Sequence, residues 1–121
     1  MTGGAPRADL WHLPEIANIQ IVHAQYPVPE VRYEGGQRIE YWEAVELLVQ
    51  TVTPFPVRAL SPALFVDDTV VESYETLGEN LYRFFAFDFQ NLLAGGTISL
   101  GWPQAPEQKV DTGFTYQPPV V

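Results

Sequence analysis

The chain has 121 residues, of which 46% are hydrophobic and 13% aromatic, with no cysteine and a formal net charge of −9. This length and apolar content suffice for one packed domain and exclude global disorder, and the lack of cysteine excludes a disulfide framework and thiolate chemistry. Six Lys and Arg against 15 Asp and Glu leave too little clustered positive charge to hold a phosphate backbone or an anionic membrane surface.

Residues 1–9 are rich in Gly, Ala and Pro and read as a loose arm. Neither the basic nor the apolar region of a signal peptide is present there, and no apolar run reaches the ~20 residues of a spanning helix, so a soluble, cytoplasmic protein is expected. Trp11 and Leu13 are apolar enough to pack onto the body or onto a partner. Residues 19–26 alternate Ile19, Ile21 and His23 against Gln20, Val22 and Ala24, which predicts a first strand, stopped by Pro27 and Pro29. Gly35 and Gly36 mark a turn.

Residues 38–53 carry two conflicting periods. Tyr41, Val45, Leu48 and Val52 repeat at helical spacing, whereas Val45, Leu47, Val49 and Thr51 repeat at strand spacing. No capping residue precedes the segment and it ends in β-favouring residues, so a strand from about Ala44 is expected, with a helix over 38–48 as the rival. Thr53 to Pro62 is an extended crossover pinned by prolines. Residues 69–75 read as one strand with mixed faces, Gly78 and Asn80 as a reversal, and residues 81–89 as a central strand apolar on both faces. Residues 90–96 form a loop or single helical turn stopped by Gly95 and Gly96. Residues 97–102 and 109–116 are the last two strands. The domain organisation is then an arm over 1–14, one domain over 15–117 and a tail over 118–121.

About seven short strands, eleven prolines and nine glycines predict an all-β, two-sheet antiparallel sandwich. The unit Pro62 to Val71, followed by an aromatic strand and a Gly-Gly-strand unit, resembles the second half of an immunoglobulin-like domain of the transcription-factor-immunoglobulin or related early-set type. The resemblance covers about half the chain and implies that sandwich fold. The Cys…Trp…Cys signature of antibody-type domains is missing, so it implies no binding site.

Chemistry-bearing patterns are sparse. Asp67 and Asp68, with Glu72 or Glu75, have the oxygen ligands for Ca²⁺ but not the EF-hand spacing, and equally suit a solvated turn. His23 is expected to be a hydrogen-bonded sheet histidine, and no nucleophile, zinc or phosphate-loop motif accompanies it. The aromatic surplus is more suggestive: Trp11, Trp42, Trp102 and Tyr82 are the candidate binding residues, against the alternative that such rings fill the space between sheets. The expected function is that of a non-enzymatic interaction or structural module, without cofactor, that pairs with a protein partner or with itself as a homodimer. The alternative is a carbohydrate-binding module with an aromatic platform and a structural calcium ion at Asp67 and Asp68. A small hydrolase using acids in a cleft is the third reading. Neither nucleic acid nor membrane is expected as a partner.

Overall fold

Two four-stranded antiparallel sheets form the fold, one with strand order β1-β2-β6-β5 and the other with order β4-β3-β7-β8. The computed structural model describes residues 13–55, 61–92 and 94–119. The strands are β1 (Ile16–Glu34), β2 (Gln37–Thr51), β3 (Ala63–Val66), β4 (Thr69–Val71), β5 (Tyr74–Gly78), β6 (Leu81–Ala86), β7 (Gly96–Gly101) and β8 (Val110–Tyr116). Short 3-10 turns lie at Phe89–Leu92 and Pro106–Gln108. The expected all-β sandwich-like architecture is therefore the one observed. The arm, with Trp11, lies outside the described residues, while Leu13 packs against the core.

The contest between helix and strand over 38–48 is resolved as strand, and the strand begins earlier than expected, at Gln37. Its inward residues Val45, Leu47, Val49 and Thr51 are buried, whereas Val52, which the helical period groups with Val45, is exposed. β-Branched residues at alternate inward positions suit a pleated surface better than a helix, where their side chains lose rotamer freedom. Two other expectations are corrected. Pro27 and Pro29 do not end β1; residues 26–29 bulge out opposite Trp42, and pairing resumes at Glu30 with Tyr41. A bulge on an edge strand is where proline is tolerated, because its missing N–H is not needed for the ladder. Residues 69–75 are two strands: β4 pairs with β3 in one sheet, and β5 pairs with β6 in the other.

Between the sheets sit Val45, Leu47 and Val49 of β2, Leu64 and Val66 of β3, Phe84 of β6, Ile98 and Leu100 of β7, and Tyr116 of β8. The crossover from β2 to β3 is anchored by Phe55, whose ring stacks on Tyr82 with centroids 3.9 Å apart and meets Phe84 edge-on at 6.1 Å. The Phe55 N–H donates to Tyr82 Oη at 2.8 Å, and that hydroxyl donates to the Glu79 carbonyl at 3.1 Å. One tyrosine thus fastens the crossover and the β5–β6 turn together. At the other end of the core, Asp67 takes a positive φ of 52° in the β3–β4 turn. Its carboxylate accepts from the Thr97 N–H at 3.0 Å while its own N–H donates to the Thr97 carbonyl at 2.9 Å.

Candidate functional site

The β1–β2 hairpin is longer than the sheet that carries it. β6 pairs with β2 only between Val45 and Gln50, so beyond Ala44 the sheet has two strands among the described residues. The paired end runs from Glu30 and Tyr41 to Glu34 and Gln37 and closes at Gly35 and Gly36, with φ of 59° and 82°. Both values lie in the left-handed region that a two-residue hairpin turn demands and that glycine enters without strain. From Glu43 to Gln37 this two-stranded ribbon reaches roughly 20 Å past the sandwich at the usual strand rise.

Its two faces differ. Cross-strand partners share a face, so Glu30, Arg32, Glu34, Ile39 and Tyr41 lie on one side, and Val31, Tyr33, Arg38, Glu40 and Trp42 on the other. The first side is tied to the sandwich. The Arg32 guanidinium lies over the rings of Phe87 and Phe85, at 5.0 and 5.7 Å, and Tyr41 stacks on Phe87 at 4.5 Å. Tyr41 donates to Glu34 Oε2 at 2.8 Å, and that hydrogen bond, then burial, pushes the phenol pKa up. At the base of the ribbon Tyr26 donates to Glu46 Oε2 at 2.9 Å, and Arg83 lies 3.3 Å from Glu46 and 2.5 Å from Glu75. Burial first, then Glu46, raises the Tyr26 pKa. His23 meets Glu43 at 2.7 Å with its ring against Phe89, the hydrogen-bonded sheet histidine expected.

The second side is free among the described residues. Tyr33 is 72% exposed and Trp42 55%, and Val28 in the adjoining bulge is 75% exposed. Apolar residues so exposed stand out on a charged surface when, as Tyr33 and Trp42 do, they share one face of a projecting element. On the first side, a cleft of about 480 Å³ between ribbon and sandwich is lined by Tyr41, Phe85 and Phe87 together with Glu34, Glu72 and Asp88.

Of the four candidate binding residues, Trp42 alone stands on a described surface. Tyr82 and Trp102 are 4% and 1% exposed, and a platform needs an open ring face, so both are corrected to core residues. Trp11 lies outside the described residues. Asp67 is engaged by Thr97, Asp68 lies 3.5 Å from Lys109 Nζ, and no group of three His, Cys, Asp or Glu converges among the described residues. No helix among the described residues is long and apolar enough to cross a membrane. Tyr33 and Val28 were not picked out from the sequence. The available signal was Gly35-Gly36 flanked by β-favouring residues, which marks a hairpin tip and places Tyr33 beside it. Compared with protein families, with curated proteins and with solved structures, the chain matches none.

Proposed function

We propose that this protein is a non-enzymatic, immunoglobulin-like interaction module that binds a protein partner through the outward face of the β1–β2 ribbon. The observation that carries the reading is the asymmetry of the ribbon: one face is fastened by Arg32 and Tyr41, and the other offers Tyr33 and Trp42 to solvent, with Val28 exposed in the adjoining bulge. A rigid arm with aromatic anchors loses little conformational freedom on binding, and Trp and Tyr are the residues that most often dominate contact energy. The net charge of −9 favours a partner with a basic surface. The immunoglobulin-like assignment draws support from strand order. Taken as A to E, F and G with an added C′, β1-β2-β6-β5 corresponds to A-B-E-D and β4-β3-β7-β8 to C′-C-F-G.

The test is a photo-crosslinking residue placed in turn at positions 33, 42 and 107 of the full chain. The proposal expects one defined adduct from 33 and 42 and none from 107, with the partner's crosslinked site on a basic surface. Equal adducts from all three positions would remove the ribbon from the account. The carbohydrate reading keeps one observation in its favour: Tyr33 and Trp42 share a face, four strand positions apart, roughly 13 Å. Retardation on immobilised polysaccharide that is lost in Trp42→Thr would support it over a protein partner.

A further inference from the structure

Sheet edges expose unpaired N–H and C=O groups and invite a further strand, so folded proteins blunt them with charge, proline, bulges or shortness. The sandwich has four edge strands, and three carry such devices. β4 is only Thr69–Val71. β5 carries Glu75 and Gly78. β8 slips register opposite Ile98 and Ser99, with Gly113 at φ 85° and Asp111 beside it. The outer half of β1 is blunted as well, by Pro27, Pro29, Glu30, Arg32 and Glu34.

The inner half of β1 is not. Residues 16–25 read Ile-Ala-Asn-Ile-Gln-Ile-Val-His-Ala-Gln, without Asp, Glu, Lys, Arg, Pro or Gly. One side of this stretch pairs with β2 in unbroken register from Asn18 with Gln50 to Gln25 with Glu43, between a shift at Ile16/Asn18 and the bulge at 26–29. No described strand pairs with its other side. Ile19 and Ile21 face the core but are only partly buried, so the core is open along this edge. β8 lies beside the start of β1, where residues 13–16 and 110–112 line a common cavity, yet does not join its ladder.

We propose that residues 18–24 or 19–25 of β1 pair antiparallel with the same residues of a second copy about a two-fold axis, fusing the two β1-β2-β6-β5 sheets into one. Self-complementarity selects this occupant, and charge confines the contact to this strip. Each copy carries −9, so two copies repel over most of their surfaces, and this neutral strip is where their backbones approach without like charges meeting. An antiparallel pairing of one strand with itself is self-complementary: each outward N–H and C=O meets its equivalent, as a two-fold interface requires. The added strand also covers Ile19 and Ile21. Because paired residues must share a face, the two-fold falls on a residue, and Gln20 of one copy opposes Val22 or Ala24 of the other. This contact is independent of the outward ribbon face and leaves that face open in the dimer.

The test is sedimentation equilibrium on the full chain, the double variant Gln20→Lys/Val22→Lys, the double variant Gln20→Glu/Val22→Glu, and an equimolar mixture of the two. The proposal expects twice 13.6 kDa for the natural chain, monomer for each variant with dissociation raised roughly 100-fold or more, and dimer restored in the mixture. Variants that dimerise like the natural chain would overturn it, as would a natural chain that stays monomeric at millimolar concentration. Dimerisation only after removal of residues 1–12 would overturn it too, by showing that the chain's own N-terminal segment holds the edge. A measurement that needs no variant is amide hydrogen exchange: alternate amides in residues 18–25 should slow at least tenfold between micromolar and millimolar chain, and unchanged rates would contradict the pairing.

Discussion

Replacing Tyr82 by Phe deletes one oxygen atom and leaves the aromatic packing in place. In the folded chain that oxygen accepts from the buried Phe55 N–H at 2.8 Å and donates to the Glu79 carbonyl at 3.1 Å. The variant keeps the ring stacked on Phe55 at 3.9 Å, so little apolar burial is lost. It strands the Phe55 N–H without a partner, and a buried donor left unsatisfied costs about 1–3 kcal/mol. At this chain length the fall in melting temperature is about 4 °C per kcal/mol, giving a drop of roughly 4–12 °C, readable by calorimetry. Phe55→Ala should cost more, about 3–5 kcal/mol, because it empties the space between Tyr82, Tyr74 and Phe84. A Tyr82→Phe chain that melts within 1–2 °C of the natural one would refute the view that the Tyr82 hydroxyl fastens the crossover.

Three further outcomes follow from other parts of the molecule. Burial and Glu46 raise the Tyr26 pKa, and burial raises that of Tyr116, above the ordinary 10.0; the folded chain therefore holds these protons to higher pH than the unfolded chain. Their contribution to stability is complete below about pH 10 and is lost as pH rises through the folded values. Urea midpoints should hold up to about pH 10 and fall above it, less steeply in Tyr26→Phe; an identical slope would contradict the assignment. Gly96→Ala places a Cβ into the Asp67 carboxylate at a φ of 156°, and should destabilise by about 2 kcal/mol or more. Adding Asp67→Gly removes the obstacle, so the double variant should be more stable than the two single losses sum to, and strict additivity would contradict the contact. Because the Asp67 carboxylate already serves the Thr97 N–H, excess EDTA should leave the melting temperature unchanged within 1 °C; a fall of several degrees would restore the calcium-site reading.

Much of this fold is readable in local chemistry. Gly35-Gly36 announces the hairpin, the alternation through Tyr82, Phe84 and Ala86 announces a central strand, and the Gly95-Gly96 pair ends a helical turn. The misreadings share one cause, which is that pairing partners are not written into a segment's own residues. Pro27 and Pro29 argue for the end of a strand until an edge position and a bulge opposite Trp42 make them harmless. Residues 69–75 look like one strand because nothing in Val71-Glu72-Ser73 says that the chain changes sheets there. The site was legible only in part for the same reason. Trp42, Tyr82 and Trp102 are equally aromatic, and what separates an anchor from a core ring is whether a second sheet covers it. For Trp42, no described strand pairs with β2 beyond Ala44 on the β6 side, and the ring stands half exposed.

The most direct test of the ribbon as a contact element separates binding from folding. Tyr33→Thr/Trp42→Thr keeps β-favouring residues at both positions and removes both exposed rings, so each change should alter stability by no more than about 0.5 kcal/mol. With the crosslinker moved to position 40 on the same face, the account predicts an unchanged melting temperature and an adduct yield reduced at least tenfold. An unchanged melting temperature with full adduct yield would contradict it.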